Sequence, residues 1–535
     1  MLNSALRVEN IDHLGIIAGL VDEIGIVEML NKRLGIDPRE KVSTGVIVKA
    51  MILNGLGFVS APLYLFGQFF EGKALEALLG KGVKSEYLND DRLGNGLDEL
   101  YAAGLSEVFL EISLAAAQKF GVKREVAHLD STSFHVDGAY ASPEPGVLEI
   151  TYGYSRDQRP DLKQFIMNII CLGDGDIPVM LEMASGNQSD KAKFAQIFQN
   201  FSKQWTFDGL CVADGALYSA DNISAMVGLK WLTRVPLSVK AAATLVDEVG
   251  ELPASEINGY GIKESRSEYG AIEQRWFLIE SEQRRKSDLK QLTKKIERHQ
   301  QTSQQALNYL SAIEFACLAD ATAAAQKLSE QMKWHQLMDI EIIEKSYYDK
   351  PGKPKPGAIP CRIGFRVTAT VVAIETEIAS QRVRCGRFIL ATNVLDAALL
   401  SPSDALREYK AQQGVERGFR FLKDPLFFTS SVFLKSPKRI AALGMLMALC
   451  LLVYNLGQRQ LRQALAEQAQ TIPNQLGKPT ASPTLRWVFQ CFMAVHLVVF
   501  QGVQQVVNLT DERLHILRFF SPACRSYYSL SDPDP

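Results

Sequence analysis

Between residues 126 and 235 the sequence alternates short apolar runs with helical stretches, and this alternation restricts the region to an α/β fold. The runs are rich in β-branched residues and are separated by Gly, Pro and Asp, a pattern typical of strands and turns. Strands are predicted at 126–136, 164–172, 178–184, 209–214 and 230–235, and helices at 189–203 and 220–228. The order β-β-β-α-β-α-β indicates a mixed sheet covered by helices.

The residues on either side of this region indicate further domains. Residues 1–122 have apolar residues at helical spacing and predict an all-α domain, either a DNA-binding module or a helical lid. Beyond residue 237 we predict a strand at 275–279, a long polar helix from 282 to about 333, strands at 361–379 and 387–394, and helices at 403–422, 440–456 and 485–507. The expected domains are 1–122, 123–236, 237–400, 401–465 and a helical C-terminal region at 466–535.

Composition excludes several classes of protein. With 58 basic and 60 acidic residues the net charge is −2, so any surface that binds phosphates must be local. The 8 cysteines are scattered without a Cys-x-x-Cys pair, which gives no support to a disulfide framework or a zinc site. The apolar run at 440–454 is shorter than the ~20 residues that cross a bilayer, so we expect a buried core helix. The first residues lack a signal-peptide pattern, and we expect a cytoplasmic protein.

Three acidic residues stand in contexts that favour a functional site. Asp130 lies within the first strand and Asp214 ends the fourth, where a carboxylate of an α/β sheet faces the ligand crevice. Each of the two is equally well explained as a turn-forming residue. Glu416 lies on the polar face of a predicted helix, and such a face is most often only the solvated side of the helix.

The surroundings of Glu416 resemble the DDE transposases of bacterial insertion sequences. The pattern Tyr409-x2-Gln412-x3-Glu416-x6-Lys423 is similar to their Tyr-x2-Arg-x3-Glu-x6-Lys signature, with Gln in place of Arg. The similarity extends to residues 88–94, 153–164, 185–190 and 386–393. Gln412 can donate only neutral hydrogen bonds, whereas arginine would offer a charged, bidentate contact.

This resemblance implies an RNase H-like mixed sheet core, formed by 123–236 and 401–465, with an inserted α+β domain and an all-α N-terminal domain. It also implies that Asp130, Asp214 and Glu416 are catalytic and hold two Mg²⁺ ions, for which Mn²⁺ would substitute. Crowded carboxylates repel one another without cations, and Mg²⁺ prefers oxygen ligands. Two ions would support phosphodiester hydrolysis at terminal inverted repeats, followed by strand transfer.

Basic residues are concentrated around the predicted Glu416 helix. Residues 407–439 have a net charge of +5, and a second basic stretch at 282–298 has a net charge of +4. Such runs are usually only solvated surface, but beside a carboxylate cluster they favour contacts with DNA phosphates. The predicted DNA-binding residues are Tyr409, Gln412, Arg417, Arg420, Lys423, Lys435, Lys438 and Arg439. The expected partners are double-stranded DNA, at the transposon ends and the target, and a second copy in a homodimer assembled on the ends; we expect association with the nucleoid and not with a membrane.

Two other functions are compatible with the same residues. A nuclease with this core would cut DNA without joining it, and an inactive transposase-derived protein would only bind DNA. The presence of all three acids argues against the inactive protein. The two histidines that flank Asp130, His128 and His135, are interpreted as packed or hydrogen-bonded side chains, because Mg²⁺ sites do not need imidazole.

Overall fold

The computed structural model describes residues 6–58, 65–140, 146–155, 157–189, 193–349, 357, 359–424 and 434–529. The chain forms two compact units. The first unit comprises 1–233, 268–272 and 404–535, and the second comprises 234–267 and 273–403. Along the sequence, the second unit is therefore an insertion between parts of the first.

The first unit begins with a short strand and a series of helices. They are β1 (Arg7–Asn10), α1 (Leu14–Ile24), α2 (Ile26–Leu34), α3 (Thr44–Gly55), α4 (Phe66–Phe69), α5 (Leu75–Leu79), α6 (Asp90–Ala102) and α7 (Leu105–Lys119). Side-chain caps set two of the helix starts: Ser43 accepts a hydrogen bond from the N–H of Val46, and Asn89 accepts one from the N–H of Arg92. The helical character predicted for this region is confirmed, although β1 was not predicted because it pairs with a strand near residue 500.

A mixed sheet follows the helices. Its strands and the intervening helices are β2 (Val126–Val136), β3 (Lys163–Leu172), β4 (Ile177–Ser185), α8 (Phe194–Gln204), β5 (Leu210–Ala213), α9 (Ala220–Ala225) and β6 (Lys230–Val235). Within the larger sheet these five strands lie in the order β4-β3-β2-β5-β6, in which β4, β3 and β2 pair antiparallel and β2, β5 and β6 pair parallel. This arrangement confirms the predicted RNase H-like mixed sheet. Part of the predicted start of α8, at 190–192, lies outside the described residues.

The second unit is the predicted α+β insertion. Its elements are α10 (Lys240–Glu248), β7 (Tyr260–Tyr269), β8 (Ile272–Ser281), α11 (Glu282–Ala312), α12 (Leu318–Glu330), β9 (His335–Tyr347), β10 (Arg362–Ala373), α13 (Glu375–Arg384) and β11 (Arg387–Thr392). The single long helix predicted from 282 to about 333 is wrong. The helix ends at Ala312 because the backbone of Phe315 pairs instead with Phe365 of β10, through hydrogen bonds of 2.8 and 3.0 Å.

The chain then returns to the first unit. The remaining elements are α14 (Pro402–Ala411), α15 (Gln413–Leu422), α16 (Pro437–Glu467), β12 (Ile472–Pro473), β13 (Pro479–Thr480), α17 (Leu485–Cys491), β14 (His496–Phe500), β15 (Val503–Val507), α18 (Asp511–Leu517) and α19 (Pro522–Ser526). The helix predicted at 403–422 is broken at Gln412, which separates α14 from α15.

The helix predicted at 485–507 is also wrong, and with it the wholly helical C-terminal region. The helix ends at Cys491, and a β-hairpin of β14 and β15 follows. The hairpin turns at Gln501 and Gly502, whose φ angles of +52° and +85° are those of a tight two-residue turn and exclude a helix.

Helix α16 forms the centre of the first unit. By length and composition it could cross a membrane, but 94% of its most apolar stretch is buried inside the protein. It packs against α3, α6, α7 and β4, and Gly444 lies against the side chain of Met183 on β4. The prediction of a buried core helix at 440–454 is therefore confirmed.

Candidate active site

The register of two parallel strands places Asp130 and Asp214 side by side. Leu129 of β2 is the partner of Ala213 of β5, so each aspartate is the next residue along its strand. Neighbouring strands lie ~4.8 Å apart, and equivalent residues of parallel strands point to the same face of the sheet. Both aspartates are half-buried. Backbone hydrogen bonds therefore bring two of the three predicted acids together.

Short hydrogen bonds hold each aspartate in place. Asp130 Oδ1 accepts a hydrogen bond from the N–H of Ser131 at 2.8 Å, and Asp214 Oδ1 accepts one from the N–H of Ala216 at 2.9 Å. The carbonyl oxygen of Asp214 also accepts a hydrogen bond of 2.6 Å from the hydroxyl of Thr233 on β6. Asp214 thus caps a turn, as its Asp-Gly sequence predicted, and the same side chain stands at the end of β5.

Two contacts locate Glu416 beside the strand that carries Asp130. Before it, the amide nitrogen of Gln412 donates a hydrogen bond of 3.4 Å to the carbonyl oxygen of Leu129. After it, the ammonium of Lys423 lies 5.6 Å from the centre of the Phe134 ring. Helix α15 therefore runs along β2 from residue 129 towards residue 134, and Glu416 lies between these two contacts with an exposed side chain.

Within the part of the chain that the structure describes, no three His, Cys, Asp or Glu side chains are close enough together to hold a metal ion. Asp130 and Asp214 supply adjacent carboxylates of the kind that bind hard cations. Glu416 lies on the adjoining helix but does not complete a three-residue cluster. Its membership in a metal site stays a prediction.

Asp176, which the sequence analysis missed, anchors the start of α15. Its carboxylate lies against the bare Cα of Gly414, where a Cβ atom would come within 1.8 Å of Asp176 Oδ1. Its other oxygen, Oδ2, is 3.4 Å from Nη2 of Arg417, and its backbone carbonyl accepts a hydrogen bond of 2.7 Å from Asn455 on α16. Burial raises the pKa of Asp176, although the neighbouring Arg417 lowers it.

Several of the predicted DNA-binding cations are paired with acids of the first unit. The ammonium of Lys423 lies 2.6 Å from Oδ2 of Asp157. The guanidinium of Arg439 forms two hydrogen bonds with Asp98, of 2.9 and 2.7 Å. Asp157 lies within the 153–164 segment that supported the resemblance, but nothing in the sequence linked it to Lys423. These acids neutralise part of the positive charge that the sequence concentrates at 407–439.

The other predicted DNA-binding residues differ in exposure. Gln412 is only 7% exposed, and its amide is used inside the unit. Tyr409 and Lys438 are half-buried, and Arg420 and Lys435 are exposed. In the second unit, most side chains of the first half of α11, which carries the second basic stretch, are exposed. A DNA contact for each of these residues stays a prediction.

The two histidines next to Asp130 are packed. Burial lowers the pKa of His128 to about 4, so the ring is neutral at pH 7. Its Nε2 lies 4.0 Å from Oε2 of Glu408, whose pKa burial raises. His135 Nε2 is 2.9 Å from the hydroxyl of Ser155, and burial also lowers the pKa of His135. These surroundings favour structural roles for both rings.

Comparison with known proteins gives matches over most of the chain. The family described as "Transposase DDE domain" matches residues 122–456, and a "Domain of unknown function (DUF4277)" matches residues 6–114. No curated protein sequence matches. Among solved structures, a cryo-EM structure of a piggyBac transposase synaptic complex with hairpin DNA aligns with 9% sequence identity and a TM-score of 0.38, covering 98% of this chain and 84% of the other.

Proposed function

The chain belongs to the Transposase DDE domain family and is a DNA transposase, and we propose that it acts on the terminal inverted repeats of an insertion sequence. In this proposal it hydrolyses a phosphodiester bond at each end and joins the freed end to target DNA. Asp130, Asp214 and Glu416 are the proposed catalytic residues. The observation that carries the proposal is the register of β2 and β5, which sets Asp130 and Asp214 side by side next to the Glu416 helix.

DDE transposases use divalent metal ions, and Mg²⁺ is the ion proposed here, with Mn²⁺ as a substitute. The donor set fits it, because Asp130 and Asp214 present neighbouring oxygen ligands. Glu416 would complete the site from the adjoining helix. When bound, two such ions would activate a water nucleophile and stabilise the leaving oxygen of the DNA strand.

The side chains of this protein would position the DNA strand around that centre. The N–H groups of Ser131 and Ala216 each donate a hydrogen bond to one aspartate, which would restrict the orientation of the two carboxylates before DNA arrives. Along α15, Lys423 would contact a phosphate on one side of the cut, once its ion pair with Asp157 opens. The exposed Arg420 and Lys435 would contribute further phosphate contacts. The proposed partners are the transposon ends, target DNA and a second copy of the chain, at the nucleoid.

Cleavage of an end duplex tests the three acids. The duplex is taken from the inverted repeats that flank the gene, and nicking is measured in Mg²⁺. Asp130→Ala, Asp214→Ala and Glu416→Ala should each reduce cleavage by about a thousandfold or more, because each removes a ligand of the ions that stabilise the transition state. Binding of the end should survive, since affinity comes mostly from phosphate contacts.

The control is Asp404→Ala, which removes an exposed acid that pairs with Arg407 on α14 and should leave cleavage unchanged. Strong residual cleavage by Asp214→Ala would contradict the assignment. A second assay offers a pre-cleaved end and a target plasmid. Joined products identify a transposase reaction, whereas cutting without joining would identify a nuclease.

A further inference from the structure

A small antiparallel sheet of the first unit has one open edge. Its strand order is β1-β14-β15, and in the described residues β15 pairs only with β14. An unpaired edge presents N–H and C=O groups to any strand that approaches. Natural proteins usually protect such an edge with lysine, proline, a bulge or a covering segment.

The two edge strands of this sheet, β1 and β15, differ in charge and in their contacts. On β1, Arg7 and Glu9 form an ion pair of 3.0 Å, and Asn10 exchanges backbone hydrogen bonds with residues 72 and 74. On β15, the sequence Val-Gln-Gln-Val-Val contains neither charge nor proline. From residue 487 to residue 510 the chain contains no Asp, Glu, Lys or Arg. One edge is therefore protected, and the other is left uncharged.

The outward face of the sheet next to this open edge is apolar. Val8, Val498 and Gln505 are cross-strand neighbours on one face, which they share with Phe500 and Val503. Val8 is 52% exposed, Phe500 47% and Val503 65%. An exposed edge combined with an apolar face marks an interaction surface rather than ordinary solvated surface.

The hairpin geometry determines which backbone groups point away from the sheet. The two-residue turn at 501–502 is closed by Phe500 and Val503, and the closing pair of such a turn is hydrogen-bonded. Hydrogen-bonded pairs alternate along an antiparallel ladder, so residues 503, 505 and 507 bond inwards to β14. The N–H and C=O groups of Gln504 and Val506 therefore point outwards.

We propose that β15 pairs antiparallel with β15 of a second copy of this chain, around a two-fold axis at Gln505. In this register Gln504 lies opposite Val506 of the partner subunit, and their outward groups exchange hydrogen bonds in both directions. Val503 then lies opposite the partner's Val507, which joins the two apolar faces. The sequence of β15 is self-complementary about Gln505, because valine meets valine at both ends of the ladder.

A second copy fits this edge because β14 and β15 contain no Asp, Glu, Lys or Arg, so two identical strands approach without like-charge repulsion. The inference concerns association only and does not depend on the proposed catalytic residues.

The test measures the mass of the full-length protein without DNA, by sedimentation equilibrium over a concentration series. The wild type should be a dimer. Gln505→Lys and Gln505→Glu should each weaken the dimer at least ~tenfold, since each places two like charges opposite one another at the axis. An equimolar mixture of the two variants should restore the dimer, because lysine then faces glutamate.

A second pair of variants tests the outward hydrogen bonds. Gln504→Pro removes an N–H that points away from β14. It should dissociate the dimer and leave the cooperative thermal unfolding of the protein unchanged. Gln504→Thr keeps the N–H and should leave the dimer intact. A monomeric wild type, or a dimer that withstands Gln504→Pro and both charged variants, would overturn the proposal, as would failure of the mixture to associate.

Discussion

The proposed catalytic acids are held by two different kinds of structure. Asp130 and Asp214 are placed by the backbone ladder between β2 and β5, whose parallel pairing fixes their relative position. Glu416 lies on a helix that contacts β2 through side chains, such as the hydrogen bond from the Gln412 amide to the carbonyl oxygen of Leu129. A ladder resists single substitutions, because most side-chain changes leave its hydrogen bonds intact. A helix held by side chains is displaced by changing one of them.

The position of Glu416 relative to the two aspartates depends on how α15 is anchored. Among the described residues the two aspartates are adjacent and Glu416 is exposed, without a group of three acids at metal distance. A movement of α15 relative to β2 changes the distance from Glu416 to the two aspartates. The residues that anchor α15 should therefore control activity without touching DNA, and Gly414, Asp176 and Lys423 are the ones to test.

The largest effect is expected from Gly414→Ala. The added methyl would lie 1.8 Å from Asp176 Oδ1, so the Asp176 carboxylate must rotate away, and lose its contact with the helix, or the helix must move. Overpacking of this kind costs about 1–3 kcal/mol of unfolding free energy. Cleavage should fall at least ~tenfold, while end binding changes less. Denaturant unfolding and the nicking assay measure the two effects.

A second glycine of the same helix provides the control. A methyl at Gly418 would meet the flexible side chain of Leu451 at 3.1 Å, so Gly418→Ala should have a much smaller effect. In the double variant Gly414→Ala/Asp176→Ala the clash is removed, and part of the lost stability should return. Equal losses in Gly414→Ala and Gly418→Ala would show that the carboxylate contact does not anchor α15.

The sequence predicted the strands that carry Asp130 and Asp214, but not the contacts that anchor the Glu416 helix. Strands β2 to β6 follow from local runs of apolar residues, and the edge position of Asp214 follows from the strand that it ends. The contact of Gly414 with Asp176 joins residues far apart in the chain, and neither residue has a local pattern that indicates the other.

The wrong prediction at 485–507 has a related cause. This stretch is apolar and uncharged from residue 487 onward, and apolar content alone does not separate a buried helix from a strand. The turn at Gln501 and Gly502 excludes a continuous helix here, because Gly502 takes a positive φ of +85°. The turn at Gly502 divides the segment into the two strands β14 and β15.

Titration of Asp176 should have a smaller effect, on the unfolding free energy. Burial raises the pKa of its carboxyl group above the ordinary value of 3.8, so folding favours the protonated form. Its contribution to the unfolding free energy is therefore largest below the ordinary pKa and declines as the pH rises through the raised native pKa. Asp176→Asn removes this decline.

The measurement compares unfolding free energies of wild type and Asp176→Asn across the acidic range, from about pH 3 to pH 7. The stability of the Asn variant relative to wild type should increase with pH and then level off. An opposite slope would mean that Arg417 dominates over burial and that an ion pair, rather than close packing, anchors the helix.

The smallest effect is expected on DNA affinity, from changes at Lys423, which lies at the C-terminal end of α15. Its ion pair with Asp157 competes with DNA for the ammonium, so Lys423→Ala should weaken end binding severalfold and lower the slope of log affinity against log salt by about 1. Asp157→Asn should strengthen binding of the end, because it removes the acid that competes with DNA for Lys423.

Lys41→Ala, which removes an exposed lysine on the loop before α3, is the matched control for loss of one charge. Binding isotherms over a salt series separate the cases. If Lys423→Ala and Lys41→Ala give the same salt slope, or if Asp157→Asn weakens binding, the ion pair between Lys423 and Asp157 stabilises the fold and Lys423 does not contact DNA. In that case α15 is anchored by Asp176 at its start and by Asp157 at its end.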